Sequence, residues 1–381
     1  MAVNIWFVVM KINNLTLKKF RCFEYLNIGF NGSNCLLYGP NAIGKTSILE
    51  AVYCLGVIKS YRCNDQKELI KAGEEHFYIE GNFFDDEKKA KISLFTNQQA
   101  RRLILNHNIV NKNIEYLGTI NVVVFSATDF LVFKMGVSER RKMFEVIICE
   151  ISKKYYQTIN NYKKLLKSRN TLLKSLILEN KQELYGVLFA VDEQIVDCGL
   201  QITDMRNRFV NKLNEYVNEV HNSISNGKES LIIKYSPSVL TNDRQQYLNL
   251  LKNNLENDLK RGYTTIGPHS DDYIFLINNQ DVSKYGSQGQ QRNAILSTKL
   301  AMANLLGDTT GNNPIVLLDD VFSELDKDRS NSLIKHLNFN YQHIITSASL
   351  SDLDEEMLKE KNIKLINVEE LLTFKGVDNS L

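Results

Sequence analysis

The sequence lacks the features that mark several specialised classes of protein. Its six cysteines form no C-x-x-C pair, so neither a zinc site nor a thiol-redox motif is predicted. Cysteines in apolar stretches are expected to pack as small hydrophobic side chains and to stay reduced, as in the cytoplasm. No apolar run is long enough to span a bilayer, so no membrane partner is predicted.

The chain as a whole has little excess of positive over negative charge. The 381 residues carry a formal net charge of +2, which by itself does not demand a nucleic-acid partner. The charge is nevertheless uneven, because residues 139–181 hold 11 Lys and Arg against 4 Glu, whereas residues 351–381 hold 8 acidic residues against 4 Lys. The basic stretch is either a contact surface or the solvated face of a helix.

The first nine residues are apolar but have neither a basic segment nor a small-residue cleavage site, so they do not form a signal peptide. A well-patterned strand opens directly after them. We interpret residues 1–9 as an upstream extension outside the fold, with Met10 as the start of the folded chain.

A complete phosphate-binding loop motif, G-x-x-x-x-G-K-[ST], lies between an apolar strand at 34–38 and a helical stretch at 47–53. The motif consists of Gly39, Pro40, Asn41, Ala42, Ile43, Gly44, Lys45 and Thr46. Its glycines let backbone N–H groups point at phosphate oxygens, and the following helix adds its positive end. Lys45 can reach the β- and γ-phosphates, and Thr46 can ligate Mg²⁺. The sequence therefore predicts a nucleotide site; the alternative is a glycine-rich turn that holds no phosphate.

Strand patterns surround this motif and predict a β-rich, mostly antiparallel region. They cover residues 11–17, 26–30, 35–38, 77–84, 90–96, 102–106 and 121–125. From Ser138 onward two apolar runs follow helical spacing, and a polar stretch near 179–181 joins them. This pattern predicts an antiparallel helical hairpin, with a compact bundle as the alternative. Gly186 and Gly199 are expected to weaken the second helix.

A second apolar strand, at residues 314–318, runs into Asp319 and Asp320, which is the Walker B pattern. Asp319 would hold Mg²⁺ opposite Thr46, and Asp320 would polarise the attacking water. The alternative is a strand end that simply enters a turn. The motif upstream favours the metal role.

The segment 285–292, Tyr-Gly-Ser-Gln-Gly-Gln-Gln-Arg, precedes an apolar helix at 294–306. A Ser-x-Gly-Gln sequence at a helix start forms a second anion cradle. One phosphate-binding loop has little use for a second cradle in the same site, so we expect this one to serve the loop of another copy. The alternative is an ordinary capped helix.

The order of these motifs, followed by Ser-Glu-Leu-Asp at 323–326, is that of an ABC-type ATPase of the chromosome-maintenance branch. The string Gly-Ser-Gln-Gly-Gln-Gln-Arg at 286–292 resembles the RecF family of bacterial recombination mediators. Further matching segments are Phe20-Arg21, Ser60-Tyr61-Arg62, Lys67 to Ile70, Phe125-Ser126, Ser138 to Arg141 and Gly267-Pro268-His269. The resemblance extends from Met10 to about Glu370.

The resemblance implies roles for particular residues. The loop at 39–46 would bind ATP with Mg²⁺ on Thr46 and Asp319, and Lys45 and Asp320 would be catalytic. Ser287, Gly289 and Gln290 would contact the nucleotide of a partner copy, and Asp326 would lie in a loop crossing that interface. The expected contacts to DNA, from the resemblance and the basic stretch, are Arg62, Arg140 and Arg141, with Lys142, Lys153 and Lys154 as further candidates.

The implied fold is α/β: an ABC-type P-loop ATPase head, called lobe I, with a mainly helical lobe II that carries a short antiparallel arm. Lobe I would comprise residues 10–126 and 301–372, and lobe II residues 127–300, with the arm at about 139–226. The implied protein is a cytoplasmic ATPase with weak, DNA-dependent activity that dimerises on ATP and clamps duplex or gapped DNA. It would act in repair, replication and recombination, and a RecR-like mediator would help it to load recombinase.

Some positions depart from the family pattern. Ala42-Ile43 replaces the usual Gly-Gln, and a positive φ at Ala42 would be strained. Ser270 replaces an arginine, and Thr346 occupies the place of the histidine found in transporters. The alternatives are an ABC-type transporter subunit or a structural DNA tether. Stimulation of ATP hydrolysis by DNA would distinguish a DNA clamp from a transporter subunit.

Overall fold

The computed structural model describes residues 11–85, 88–97, 99–179, 183–322, 330, 333–335, 337–350 and 354–373. The predicted upstream extension at 1–9 and the predicted interface residue Asp326 therefore lie outside the described residues. So does most of the turn predicted at 179–181.

The chain divides into two compact units. The first comprises residues 1–129, 219–229 and 295–381, and the second comprises residues 130–218 and 230–294. Residues 219–229 were predicted to belong to lobe II, but in the structure they group with the first unit. One reason is the buried His221, whose Nδ1 lies 2.9 Å from Ser297 Oγ and joins the end of one long helix to the middle of another.

An antiparallel sheet of six strands forms one layer of the first unit, in the order β2-β1-β4-β5-β6-β7. The strands are β1 (Lys11–Phe20), β2 (Phe23–Gly29), β4 (His76–Phe84), β5 (Lys89–Asn97), β6 (Arg101–Leu105) and β7 (Asn108–Ile109). Residues of β4 alternate between buried and partly exposed, which is the period of a sheet with one face on the core.

A parallel sheet of five strands forms the second layer, in the order β14-β3-β13-β12-β8. The strands are β3 (Cys35–Tyr38), β8 (Val122–Ser126), β12 (Ile315–Asp319), β13 (Gln342–Ser347) and β14 (Lys364–Asn367). Every residue of β8, β12 and β13 is buried, as expected for parallel strands covered on both faces. Helix α1 (Lys45–Val57) follows β3 and contacts strands of both sheets.

The second unit combines helices with a small antiparallel sheet in the order β11-β10-β9. Its strands are β9 (Leu231–Ser236), β10 (Asp272–Ile277) and β11 (Gln280–Asp281). The helices are α3 (Val137–Ile151), α4 (Lys153–Glu179), most of α5 (Glu183–Ile224), α6 (Arg244–Asn253), α7 (Leu255–Arg261), α8 (Val282–Tyr285) and the start of α9 (Gln288–Thr310). The remaining short helices, α2 (Asn113–Tyr116), α10 (Glu355–Glu360) and α11 (Val368–Thr373), belong to the first unit.

Helices α4 and α5 run antiparallel to each other. Residues early in α4 contact residues late in α5, and residues late in α4 contact residues early in α5. Arg206 Nε donates to Tyr155 Oη at 3.0 Å, and Arg169 Nε donates to Asp192 Oδ1 at 2.6 Å. At the end of the pair, Leu173, Leu176 and Leu188 form a buried apolar cluster. The predicted helical hairpin is therefore present. Its first helix starts only after a break at Ser152, whose backbone is extended.

Helix α5 continues for 42 residues through Gly186 and Gly199, the two positions expected to weaken it. A Cβ at Gly199 would lie 2.8 Å from the ring of Tyr247, so the glycine permits close packing of that ring. The sequence pattern of residues 243–260 predicts a single helix, and this prediction is wrong because the segment is divided into α6 and α7 at Asn254. The Asn254 side chain donates to Asp258 Oδ1 at 2.8 Å and Thr265 Oγ1 at 2.6 Å.

Buried arginines hold the second unit together. Arg169 is fully buried, and its Nη1 donates to Asp258 Oδ2 at 2.6 Å and to Thr264 Oγ1 at 2.9 Å. Together with the bond to Asp192, these contacts tie α4 to α5 and α7. A buried charge of this kind is stable only when it is paired, which explains why two carboxylates converge on one guanidinium.

Candidate nucleotide-binding site

The phosphate-binding loop connects β3 to α1 and has the backbone that an anion cradle needs. Three of its residues have positive φ: Gly39 at 145°, Ala42 at 67° and Gly44 at 107°. A Cβ on Gly44 would lie 2.4 Å from Phe23 Cζ, so the position accepts only glycine. Residues 40–42 are exposed on the loop, and Ile43 is partly exposed. This backbone fits a bound phosphate chain.

Ala42 has a positive φ of 67°, the strained conformation that the sequence comparison with the family pattern raised. A left-handed backbone costs an alanine roughly 1–2 kcal/mol compared with glycine. The backbone of the loop is therefore compatible with Ala42 in place of glycine, although this residue is strained, because the surrounding structure holds it in this conformation.

Lys45 is buried beneath the loop. Its Nζ donates to the carbonyl oxygens of Gly39 at 2.6 Å and Pro40 at 2.8 Å. Burial lowers the pKa of Lys45, while the carboxylates of Asp320 and Asp319 act in the opposite direction. The ammonium group thus lies within the electrostatic reach of both predicted Walker B residues.

Asp319 ends β12 at the edge of the sheet where β3 also ends. Because β13 lies between these two parallel strands, their carboxyl ends face the same side. Thr46 Oγ1 donates to Asp319 Oδ1 at 2.8 Å, which brings the two predicted Mg²⁺ ligands together. Burial raises the pKa of Asp319, and hydrogen bonds from the hydroxyl groups of Thr46, Tyr61 and Thr346 counteract that rise. A carboxylate and a hydroxyl oxygen suit Mg²⁺, which completes its shell with phosphate oxygens and water.

Asp320 follows at a sharp change of backbone direction, with φ at 54°. Its N–H donates to Thr346 Oγ1 at 2.8 Å, and the same hydroxyl donates to Asp319 Oδ1 at 3.0 Å. Thr346 at the end of β13 therefore fixes both carboxylate residues. In the sequence, Thr346 stands out only as the replacement of a histidine, so its hydrogen bonds to both residues were not predicted.

Two further residues of the site were missed. Tyr61 Oη donates to Asp319 Oδ2 at 3.0 Å. Glu50 on α1 is completely buried and accepts hydrogen bonds from Arg21 Nε and Nη2, both at 2.8 Å. A glutamate in the apolar segment of α1 was the available signal, because a buried carboxylate requires partners.

Ser287 begins α9 with a capping box. Gln290 N–H donates to Ser287 Oγ at 3.2 Å, and Ser287 N–H donates to Gln290 Oε1 at 2.9 Å. Ser287 is exposed, while Gly289 and Gln290 are partly exposed. These three residues belong to the second unit, and the phosphate-binding loop and Asp319 belong to the first. The structure thus shows a capped helix start at Ser287, and the anion cradle stays a prediction.

The arginines predicted to contact DNA differ in availability. Arg62 is exposed, with a side chain that retains 43% of its surface. Arg140 is buried, and its Nε and Nη2 donate to the two oxygens of Asp272 at 2.8 Å each. Arg141 Nη1 donates to the carbonyl of Asp271 at 2.7 Å. The prediction that Arg140 contacts DNA needs correction, because its buried guanidinium is paired with the partly exposed carboxylate of Asp272.

No helix in the described part of the chain is at once long enough and apolar enough to cross a bilayer.

Sequence comparison places the chain among known proteins. It matches the family model described as RecF/RecN/SMC N terminal domain over residues 11–371. The DNA replication and repair protein RecF of Lachnoclostridium phytofermentans is 37% identical over 355 residues, which cover 93% of this chain and 97% of that protein. RecF of Staphylococcus carnosus is 33% identical over 370 residues, covering 95% and 100% respectively.

Structural comparison agrees. A structure of the recombination mediator protein RecF with ATP, in the RecFOR pathway, superposes with a TM-score of 0.84 at 34% identity and covers 92% of this chain and 95% of that one. The Smc head domain of Pyrococcus furiosus, at 16% identity and a TM-score of 0.53, covers 93% and 92% and shows a likeness of fold. The predicted α/β fold of an ABC-type ATPase head with a helical second lobe is confirmed, and the chain belongs to the RecF family.

Proposed function

We propose that this protein is an ATP-dependent DNA-binding protein of the cytoplasm that acts in DNA repair, replication and recombination. The observation that supports this most directly is the convergence of Lys45, Thr46 and Asp319 at one edge of the parallel sheet. ATP would lie on the loop at 39–46, with Mg²⁺ on Thr46 and Asp319. The ATP complex of the similar RecF supports the choice of nucleotide.

Each residue of the site has a defined task in slow ATP hydrolysis. Lys45 places positive charge against the phosphates, and bound Mg²⁺ supplies further neutralisation of their charge. Asp320 accepts a proton from the attacking water, and Thr346 holds the Asp320 backbone in place. Burial raises the pKa of Asp319, and the three hydroxyl groups that donate to it favour its ionised form against this effect.

The helix start at Ser287 supports ATP-dependent dimerisation. Its exposed cap and the N-terminal end of the 23-residue helix α9 offer N–H groups and a positive dipole to an anion. In a head-to-tail pair, Ser287, Gly289 and Gln290 of one copy would contact the ATP held by the other. Asp326 remains a proposed interface residue outside the described residues.

A stripe of lysines on α4 supports binding to the DNA backbone. The lysine stripe consists of the exposed residues Lys153, Lys164, Lys167 and Lys174. At 100° per residue these positions lie within about 80° of the helix circumference and extend over about 32 Å, close to one turn of duplex DNA. The only acidic residue of α4 is its last, Glu179. The stripe, Arg62 and Arg141 are therefore the proposed phosphate contacts, without Arg140.

Reversing charge in this stripe tests the DNA surface. Lys164→Glu with Lys167→Glu is expected to weaken duplex binding roughly tenfold and to reduce the salt slope of the logarithm of affinity by about 2. Fluorescence anisotropy at several salt concentrations measures both quantities. The control, Lys112→Glu with Lys359→Glu, makes the same charge change at exposed lysines of the first unit. Equal losses in the two double variants would show only an effect of net charge.

The cellular role is proposed from the comparisons. Because the similar RecF structures belong to the RecFOR pathway, this protein would bind gapped DNA and recruit a RecR-like mediator that helps to load recombinase. Within the described ranges of the chain no feature favours the transporter or tether alternatives, so neither is proposed.

Sedimentation of the protein with ATP and Mg²⁺, and with and without duplex DNA, tests the proposal as a whole. We expect a monomer without nucleotide, a dimer with ATP, and co-sedimentation of DNA with the dimer. Bound ATP without a change in mass would contradict the dimer, and DNA binding that is indifferent to ATP would contradict the clamp.

A further inference from the structure

We propose that Tyr61 is a positioning residue for the metal-binding carboxylate of Asp319, and that the segment Ser60–Arg62 links this carboxylate to the buried Glu50 of α1. The proposal rests on the proposed function, because the metal ion accompanies ATP.

Tyr61 restrains one end of the carboxylate. Thr46 and Thr346 donate to Oδ1 of Asp319 at 2.8 and 3.0 Å, and Tyr61 Oη donates to Oδ2 at 3.0 Å. With donors at both oxygens, the carboxylate cannot rotate freely about its Cβ–Cγ bond. The oxygen next to Thr46, which is the proposed metal ligand, therefore keeps a fixed direction.

The ring of Tyr61 is itself held in place. It packs edge-to-face on Tyr53 of α1, with ring centroids 5.3 Å apart and an interplanar angle of 83°. Tyr53 is 7% exposed, so this partner belongs to the core. A tyrosine ring with its hydroxyl on a polar partner is well suited to such a position, since it combines apolar packing with one directed hydrogen bond.

The residues on both sides of Tyr61 are anchored to Glu50. Ser60 Oγ donates to Glu50 Oε1 and accepts from the N–H groups of Arg62 at 2.9 Å and Cys63 at 3.1 Å. Arg62 Nη1 donates to Glu50 Oε2 at 3.3 Å. The fully buried Glu50 is also held by Arg21, so the anchor does not depend on one contact. Backbone and ring restraints together fix the position of the Tyr61 hydroxyl.

Loss of this hydroxyl should therefore weaken metal binding without changing the phosphate cradle. The Tyr61 hydroxyl donates to Asp319, whereas the Lys45 ammonium donates to carbonyl oxygens of the loop itself. Removal of a residue that hydrogen-bonds to a metal ligand typically lowers the affinity for the metal 10–100-fold. Because Tyr61 holds the oxygen away from the metal, we expect a loss near the lower end of this range.

The experiment compares Tyr61→Phe with Tyr25→Phe in the full chain. Phenylalanine keeps the ring that packs on Tyr53, and Tyr25 is an exposed tyrosine on β2 that serves as the matched control. Fluorescent ATP binding in EDTA is measured first, followed by Mn²⁺ binding by electron paramagnetic resonance at saturating ATP. For Tyr61→Phe we expect ATP affinity in EDTA within about twofold of wild type and a Mn²⁺ dissociation constant about tenfold higher.

A second variant tests the link to Glu50. Ser60→Ala is expected to raise the Mn²⁺ dissociation constant in the same direction, and the double variant with Tyr61→Phe should lose less than the sum of the two effects. Mn²⁺ affinity of Tyr61→Phe equal to that of Tyr25→Phe would overturn the positioning role. Additive losses would overturn the link through Ser60. If wild type bound no ATP in either condition, the proposed function itself would fail.

Discussion

Replacing Asp320 with asparagine is expected to lower the rate of ATP hydrolysis about 100-fold while ATP affinity stays within about twofold of wild type. An asparagine keeps the shape of the side chain but cannot accept the proton of the attacking water. The backbone N–H of residue 320 can still donate to Thr346, so the geometry of Asp319 should be kept. The variant should therefore bind ATP and Mg²⁺ and accumulate in the ATP-bound state.

The measurement is a single-turnover hydrolysis assay together with the dimer fraction in sedimentation. Asp204→Asn removes an exposed carboxylate of α5 and serves as the control, with an expected rate close to wild type. The dimer formed by Asp320→Asn should outlast that of wild type, since hydrolysis would open it. A rate that falls less than about fivefold would mean that another group accepts the proton.

Replacing Ser287 with arginine is expected to abolish ATP-driven dimerisation while each monomer still binds ATP. Ser287 is exposed at the start of α9, where a dimer would place the phosphates of the partner's ATP. An arginine would fill this space with a long side chain that the interface was not built to accept. We expect the dimer dissociation constant to rise about 100-fold, which corresponds to about 2.8 kcal/mol.

The loss of the Ser287 cap alone should not unfold the unit. Losing the hydroxyl that accepts from Gln290 N–H costs roughly 1 kcal/mol, a modest part of the stability of a domain. Ser287→Ala separates the two effects, since it removes the cap without adding bulk and should retain part of the dimer. Asn207→Arg adds an arginine at an exposed position of α5 as a charge control. A Ser287→Arg protein that dimerised normally with ATP would show that this helix start does not meet the partner's nucleotide.

Local patterns were enough to predict the elements that carry the nucleotide site. The strand before the phosphate-binding loop was predicted at 35–38 and is Cys35–Tyr38 in the structure. The apolar run ending at Asp319 was predicted as a strand and forms β12. Both succeeded because the constraint is local: a loop of this shape needs particular residues at fixed spacing, and a buried parallel strand needs an apolar run.

Predictions about the helices were weaker, because tertiary packing overrides local propensity. Gly199 was expected to weaken α5, yet the helix continues through this position and the missing side chain lets Tyr247 pack against it. Arg140 was expected on a DNA surface because it lies in a basic stretch. Asp272, 132 residues away, determines that it is buried instead. Helix propensity and charge counts contain no information about such distant partners.

By itself, the sequence determined the phosphate-binding loop, the strand before it, the family and the residues that can carry charge to a nucleotide. The strands at 35–38 and 121–125 were predicted in a mostly antiparallel region, whereas they lie in the parallel sheet. Only the tertiary structure decided which of those charges are available and which neighbours orient them. Thr346, Tyr61 and Glu50 come from separate segments and meet the site through the parallel sheet and α1. The physical reason is that hydrogen bonds and burial act over a few ångströms in space, at any distance along the chain.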